Sequence, residues 1–104
     1  MRVTNLYLAH AYASFNKKYF RNRLPKDMAI RFGKIEECGS AQFKFQRPLF
    51  IILNKRLAWH YMLVDMTLLH EMVHVEHPEW GGHGVKFQKR MLKLAKEGAF
   101  RCRW

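Results

Sequence analysis

Hydrophobic spacing in the first part of the chain predicts an amphipathic helix from about Thr4 to Phe20. Apolar residues recur there at intervals of three or four, which places them on one face of a helix. They are Val3, Tyr7, Ala11, Phe15 and Tyr19. Pro25 follows and closes the helical region, because proline lacks the N–H that a helix interior needs. The first predicted element is therefore a helix with one apolar face.

Three short stretches in the middle of the chain predict strands. The first is Met28 to Phe32. In the second, Ser40 to Gln46, apolar and polar residues alternate, as in a strand with one buried face. Pro48 separates it from the third stretch, Leu49 to Leu53, which is continuously apolar. We expect these strands to form a small antiparallel sheet.

Two further helices are predicted after a connector at residues 55–60. The first, from about Tyr61 to Val75, is apolar on most sides, so we expect it to be buried. Its apolar residues include Leu63, Met66, Leu69, Met72 and Val73. The second, from about Gly84 to Lys96, is amphipathic. Its inward positions are Phe87, Met91, Leu94 and Ala95, and its outward positions are Lys86, Lys89, Arg90, Lys93 and Lys96.

This order of elements predicts the α+β class: an N-terminal helix, a three-stranded sheet, and then two helices. The chain has 104 residues, of which 49% are hydrophobic. A chain of that size can bury one modest core. We therefore predict a single domain over residues 1–104.

The second predicted helix contains the spacing of a zinc-hydrolase motif, His70-Glu71-Met72-Val73-His74. Residues four apart lie on one face of a helix, so both imidazoles can bind the same metal ion. Zinc lowers the pKa of a bound water, and the carboxylate of Glu71 can accept the water's proton as it attacks a carbonyl. The alternative interpretation is two ordinary histidines on the surface or in the core of a helix.

A catalytic zinc ion usually has three protein ligands, and His77 and His83 are the candidates for the third. On an unbroken helix, His77 would lie about 7 Å along the axis from the midpoint of the two motif histidines. Pro78 and the Gly81-Gly82 pair instead predict that the helix stops after His77 and the chain turns. Because that turn can return His83 towards the metal, we favour His83 as ligand and His77 as a helix-end residue.

Together with His83-Gly84-Val85-Lys86-Phe87, the motif resembles the SprT-like metallopeptidases, the family that includes Spartan. Residues 15–20 with Leu24-Pro25 are similar to the family's opening helix and its exit. Ile51-Ile52-Leu53-Asn54 is similar to the strand that precedes its active-site helix. The resemblance covers nearly the whole chain and implies a minimal zincin-like fold.

The resemblance also implies a function, with one catalytic zinc ion bound by three histidines and a glutamate as general base. Those residues are His70, His74 and His83 as ligands and Glu71 as the base. The implied activity is proteolysis of proteins bound or crosslinked to DNA, and the nucleic acid itself often stimulates this activity. The resemblance thereby implies a role in DNA repair. Many members add a zinc ribbon built on four cysteines. Residues 100–104 contain a single cysteine, so we expect a minimal form without the ribbon.

The formal net charge is +11, and it is unevenly distributed. Residues 1–34 have eight Lys or Arg against one Asp, residues 86–104 have seven against one Glu, and residues 35–85 have four against six acidic residues. Basic segments flanking a nearly neutral site suit DNA, single-stranded or double-stranded, bound without sequence specificity through its phosphates. The predicted contacts are Lys17, Lys18, Arg21, Arg23, Lys86, Lys89, Arg90 and Lys93. The alternative is a basic surface that only aids solubility.

Two cysteines, Cys38 and Cys102, are too few to indicate a disulfide-based fold, so free thiols in a reducing cytoplasm are expected. Within the cell, we expect the protein to associate with the nucleoid or, in a eukaryote, to lie in the nucleus. Asn5 and His10 interrupt an apolar run that is already too short for a signal peptide, so we expect no secretion. No apolar stretch approaches the roughly 20 residues that span a bilayer.

The sequence therefore predicts a zinc endopeptidase acting on DNA-associated protein, with two alternatives. One is a non-catalytic nucleic-acid-binding module in which zinc is structural and Glu71 is dispensable. The other is a metallopeptidase with no nucleic-acid role.

Overall fold

The computed structural model describes residues 3–44, 47–80 and 82–99, and it has the α+β class that the hydrophobic pattern predicts. Its helices are α1 (Asn5–Tyr19), α2 (Tyr61–Glu76) and α3 (Val85–Lys96). Its strands are β1 (Ala29–Gly33), β2 (Gly39–Lys44) and β3 (Arg47–Asn54), and short 3-10 helices span Lys55–Trp59 and Pro78–Trp80. The predicted ends of all three α-helices are confirmed to within one residue.

The sheet is mixed, with β3 in the middle, β1 parallel to it and β2 antiparallel to it. The prediction of an antiparallel sheet is right for β2 and β3 and wrong for β1. The chain reverses direction on entering β2 and again on leaving it. After two reversals, β3 runs in the direction of β1. Because β3 inserts between the other two strands, it pairs with β1 in parallel. Among the described strands, β2 lies at an edge of the sheet.

Pro48 lies inside β3, where its backbone is opposite Phe43. The register is irregular between Gln42 and Phe43, and a proline, which cannot donate to the ladder, is tolerated at such an irregularity. The prediction that Pro48 separates two strands is therefore wrong. The predicted end of the second strand, Phe45 and Gln46, lies outside the described residues.

The core forms between the sheet and the helices. Thr4 caps α1 by accepting a hydrogen bond from the Tyr7 N–H at 3.1 Å, and the helix packs against β1 and α2. α2 packs against β2 and β3, where Ile51 and Leu53 are fully buried. Within the described ranges, no helix combines the length and the apolar character that crossing a membrane requires.

α2 is buried on one face only. Val64, Leu68 and Met72 recur every fourth residue and are fully buried. Leu63 and Met66, which we expected inside, are 46% and 45% exposed. Apolar residues occur on most sides of this helix, so their spacing alone could not show which face meets the core.

α3 places Phe87 and Leu94 in the core, as predicted, and Met91 is partly buried against it. Ala95 was predicted to face inward but is exposed. It lies about 100° around the helix from Leu94, beyond the stripe that contacts the rest of the protein.

Candidate metal centre

Three histidine rings converge through the same atom of each ring, Nε2. His70 and His74 come from successive turns of α2, and His83 comes from the segment before α3. The Nε2 atom of His83 lies 3.0 Å from that of His70 and 3.1 Å from that of His74. The Nε2 atoms of His70 and His74 are 3.3 Å apart. The structure thus brings together the three histidines that the sequence selects.

Hydrogen bonds among the three rings cannot satisfy this triangle. A ring nitrogen that carries a proton has no lone pair to accept with, and one without a proton cannot donate. Three nitrogens in mutual contact therefore leave at least one pair in which two lone pairs or two N–H groups oppose each other. A cation at the centre removes this conflict, because each nitrogen then directs its lone pair at the ion.

The spacing of the nitrogens fits zinc. Bonds of about 2.0–2.1 Å from a tetrahedral zinc ion to two imidazole nitrogens place those nitrogens roughly 3.3–3.4 Å apart. The observed separations of 3.0 to 3.3 Å are close to that value. The three side chains can therefore hold a metal ion with little rearrangement.

The protonation state of the rings also favours metal binding. Burial, with the neighbouring His74 and His83 as smaller causes, lowers the pKa of His70 to about 4. Burial and His83 likewise lower the pKa of His74. Metal ions bind the neutral imidazole, so these two ligands need not lose a proton at neutral pH.

His77 takes no part in this cluster. It caps the carboxyl end of α2, where its backbone N–H donates to the carbonyl of Val73. Its ring stacks on Trp80 with centroids 3.9 Å apart, and its Nδ1 lies 2.9 Å from a carboxylate oxygen of Glu79. The helix therefore ends where Pro78 predicted. Gly81, the other part of that turn signal, lies outside the described residues.

Phe87 supports all three histidine rings. Its ring centroid lies 4.8, 4.7 and 4.8 Å from those of His70, His74 and His83. The sequence predicted Phe87 as a core residue but not as part of the site. Because His83 precedes α3 and Phe87 lies within it, helical spacing could not show that the two side chains meet.

Glu71 is 6% exposed, and the start of β2 holds its carboxylate. The Ala41 backbone N–H donates to it, which favours the ionised form, but burial is the larger effect and raises the pKa of Glu71 to about 7. A cation held by the adjacent histidines would favour ionisation. Gly39 packs so closely that an added Cβ would lie 2.8 Å from Thr67 Cγ2 and 3.1 Å from Glu71 Oε2. The sequence did not indicate these contacts, which arise between segments about 30 residues apart.

A cleft of about 760 Å³ contains the histidines and Glu71. One wall is α2, and the other is formed by residues 37–41, which lead into and begin β2. Asn54 fixes that second wall, because its side-chain amide donates to the carbonyls of Ile35 and Glu37 at 2.9 and 3.2 Å. Cys38, an exposed free cysteine as expected, also lines the cleft, whereas Cys102 lies outside the described residues.

Arg90, predicted to contact nucleic acid, is part of a partly buried ion cluster. Its side chain is 11% exposed, and its Nε donates to Glu76 at 2.7 Å. It also donates to the Tyr19 carbonyl at 2.8 Å and lies over the ring of Phe20. The sequence did not indicate this environment, because an amphipathic pattern shows which face of α3 is polar, not which polar residue another helix covers.

The other predicted basic residues differ in exposure. Arg23 pairs with Glu76 at 3.1 Å but remains 63% exposed. Six others are exposed without belonging to the ion cluster, and we call them the basic surface: Lys17, Lys18, Arg21, Lys86, Lys89 and Lys93. Tyr19 follows Lys18 in the chain and Arg90 follows Lys89, so the hydrogen bond from Arg90 to Tyr19 joins the two basic segments. The two basic segments, distant in sequence, are therefore neighbours in the fold.

Comparison of the chain with protein-family models, curated proteins and solved structures finds no match.

Proposed function

We propose that this chain is a zinc-dependent endopeptidase that acts on proteins bound or crosslinked to DNA. The observation that carries the proposal is the convergence of three Nε2 atoms, 3.0 to 3.3 Å apart, in a cleft that also contains the buried carboxylate of Glu71. Three imidazoles with a neighbouring glutamate are a ligand and base set used by zinc hydrolases.

The residues have distinct roles in this proposal. His70, His74 and His83 would hold the ion. When bound, the ion would act as a Lewis acid that activates water and polarises a peptide carbonyl. Glu71 takes the proton of the attacking water on its carboxylate and then gives it to the leaving amine. Phe87 fixes the orientation of the rings through its contact with all three.

The fold supports a peptide substrate. β2 is an edge strand, and the backbone of its first residues lines the cleft opposite α2. An extended peptide can hydrogen-bond to such an edge, which holds the bond to be cleaved beside the catalytic groups. This arrangement, with the resemblance of the chain to SprT-like metallopeptidases, supports a zincin-like assignment of the fold.

The basic surface supports the nucleic-acid part of the proposal. Its six side chains are exposed on α1, α3 and the turn after α1, whereas Glu76 is neutralised by Arg23 and Arg90. Phosphates bind such a surface without reading the sequence. A protein carried on DNA would then be brought to the cleft whatever the sequence of the DNA.

The alternative of a structural zinc ion is less well supported. Structural sites generally have four protein ligands. In the part of the chain that the structure describes, His70, His74 and His83 form a group of three, and no fourth histidine, cysteine or carboxylate joins it. A corner left for water or substrate is the arrangement of a catalytic site.

The proposal is tested by digestion of a basic DNA-binding protein, followed on gels with and without single-stranded DNA. The zinc-loaded parent should cleave the protein, whereas Glu71→Gln should keep its zinc and lose about 100-fold to 10,000-fold in rate, the usual contribution of a general base. Equal cleavage by both proteins would contradict the role of Glu71.

DNA binding measured at several salt concentrations separates DNA-directed activity from a peptidase with no nucleic-acid role. Replacing Lys17, Lys18 and Arg21 with Gln should weaken DNA binding and reduce its dependence on salt, because fewer phosphates are neutralised. Lys55→Gln, which changes an exposed lysine that is not part of the basic surface, is the control. If the parent does not bind DNA even at low ionic strength, the DNA part of the proposal fails and the peptidase part stands.

A further inference from the structure

A tryptophan is exposed to water just before α2. Trp59 is the last residue of the 3-10 helix Lys55–Trp59 and is 64% exposed. The other tryptophan that the structure describes, Trp80, stacks on His77 and is partly buried. A single exposed apolar residue is common on protein surfaces, so the neighbours of Trp59 decide whether it marks a binding site.

Arg56 lies on the same face of the 3-10 helix as Trp59. Side chains three residues apart are eclipsed in such a helix, so these two project on one side. Arg56 is exposed, and within the described ranges its guanidinium is in no ion pair. Lys55 is also exposed, but it lies a third of a turn away from that face. An aromatic ring and an unpaired cation are therefore presented together.

The surroundings of these two residues favour an anionic ligand. Residues 35–85 have four basic residues against six acidic ones, and two of the four are Lys55 and Arg56. The first turn of α2 follows directly and contains no acidic residue. Since the amino end of a helix has a partial positive charge, no negative charge offsets it there. A purely apolar partner would remove Arg56 from water without a counter-charge, which is costly.

Single-stranded nucleic acid combines the two properties that this surface requires. The flat faces of its bases stack on aromatic side chains, and its phosphates bind cations. In a duplex, the bases are stacked on one another and their faces are covered. The pairing of Trp59 with Arg56 therefore fits an unpaired strand better than a duplex.

We propose that Trp59 and Arg56 form a stacking site for an unpaired base of single-stranded DNA. Trp59 stacks on the base, and Arg56 binds a neighbouring phosphate. This inference rests on the DNA part of the proposed function, but it does not depend on the zinc site. It adds a ligand class, because the protein then recognises an unpaired base as well as phosphates.

The stacking site is separate from the basic surface. Both basic segments donate to Glu76, through Arg23 and Arg90, and Glu76 is the last residue of α2. Trp59 lies two residues before the first residue of the same helix. A helix of 16 residues is about 24 Å long, so the two sites lie at opposite ends of α2.

Two oligonucleotides with the same number of phosphates separate stacking from charge. One is a deoxythymidine strand of about eight nucleotides, within the usual site size of proteins that bind single strands. The other is an abasic strand of the same length. Fluorescence anisotropy of labelled strands measures both affinities for the parent chain. The deoxythymidine strand should bind at least about fivefold more tightly, the lower end of the range for one stacked base.

Replacements of Trp59 test the aromatic ring itself. Trp59→Leu keeps an apolar side chain without a flat face and should make the two affinities nearly equal. Trp59→Phe keeps a smaller aromatic face and should retain part of the difference. Circular dichroism checks that each variant is folded. An affinity ratio that Trp59→Leu leaves at the parent value would overturn the stacking site.

Arg56 has a matched control in Lys55, which is exposed on another face of the same short helix. Arg56→Gln should weaken the binding of both strands. It should also reduce the slope of log affinity against log salt by about 0.7, the value for one phosphate of a single strand. Lys55→Gln should change that slope less. Equal changes in the two variants would mean that Arg56 contributes only to the general charge and binds no particular phosphate.

The outcomes separate this proposal from the function on which it rests. If neither strand binds the parent even at low ionic strength, the DNA part of the proposed function and the stacking site both fail, and the peptidase part stands. If both strands bind equally, the stacking site alone is wrong. If analytical ultracentrifugation shows a dimer that Trp59→Leu converts to a monomer, Trp59 belongs to an interface between copies of the chain, and the stacking site is again wrong.

Discussion

α2 carries two clusters of partly buried polar groups that differ in whether their partners satisfy them. Around Glu76, near the end of the helix, each carboxylate oxygen accepts from an arginine, Arg90 at 2.7 Å and Arg23 at 3.1 Å. Around His70 and His74, about one turn earlier, three ring nitrogens face one another without a possible set of hydrogen bonds. The first cluster is complete in the chain itself, and the second could be completed by a cation.

This difference separates a structural cluster from a functional one on the same helix. The ions around Glu76 connect α1, α2 and α3, so their charges are used within the fold. The histidines are also held by the fold, through their ring contacts with Phe87, but their Nε2 atoms converge on a common point. Polar groups whose partners are all present indicate a structural role. Polar groups held in contact without a possible set of hydrogen bonds indicate a site for a ligand.

The largest expected effect is the loss of metal from the histidine cluster. His74→Ala and His83→Ala should each lower zinc affinity by more than the roughly 10-fold to 100-fold cost of losing a residue that only orients a ligand. Zinc retained after gel filtration with a competing chelator measures this. His77→Ala is the control, since its ring stacks on Trp80 away from the cluster, and equal metal loss in that variant would contradict the assignment.

The second effect concerns the ion cluster and should appear as stability rather than activity. Arg90→Ala leaves the carboxylate of Glu76, whose side chain is 6% exposed, with Arg23 as its remaining arginine partner. We expect a loss of about 3 kcal/mol in the free energy of unfolding, the lower end for breaking a buried pair. Urea denaturation measures it. Lys89→Ala, its exposed neighbour, should stay within about 0.5 kcal/mol; equal losses would mean that Arg90 is a surface residue after all.

The smallest effect tests how closely β2 supports Glu71, the proposed general base. Gly39→Ala adds a Cβ at 2.8 Å from Thr67 and 3.1 Å from Glu71, so the carboxylate must shift by a few tenths of an ångström. A displacement of that size should lower kcat about tenfold while KM and zinc content stay near the parent values. Peptide hydrolysis measures kcat and KM.

Two further variants interpret that result. Gly33→Ala adds a Cβ 3.0 Å from Ile52 in the same sheet, outside the residues that line the cleft, and should leave kcat unchanged. Adding Thr67→Ser to Gly39→Ala removes the methyl group at 2.8 Å and should restore part of the activity. Parental kcat in Gly39→Ala would mean that the position of Glu71 does not depend on this contact.

Local patterns were sufficient for the helices and for the ligand spacing. Residues four apart in a helix must share a face, so His70 and His74 followed from their positions, and Pro78 gave the end of α2. The direction of β1 was not predictable in this way, because it depends on which strands pair. The exposure of Leu63 and Met66 was also missed, since an all-round apolar helix does not show which side another element covers.

What the sequence by itself determined is the set of elements, the paired histidines with an intervening glutamate, and a strong positive charge at both ends. These depend on spacing along the chain, and the geometry of a helix converts spacing directly into position. Only the tertiary structure decided the rest. It brought His83 to the other two rings, buried Arg90 against Glu76 and set Gly39 against Glu71. Each is a contact between segments that are far apart in the chain, and such contacts depend on how the elements pack.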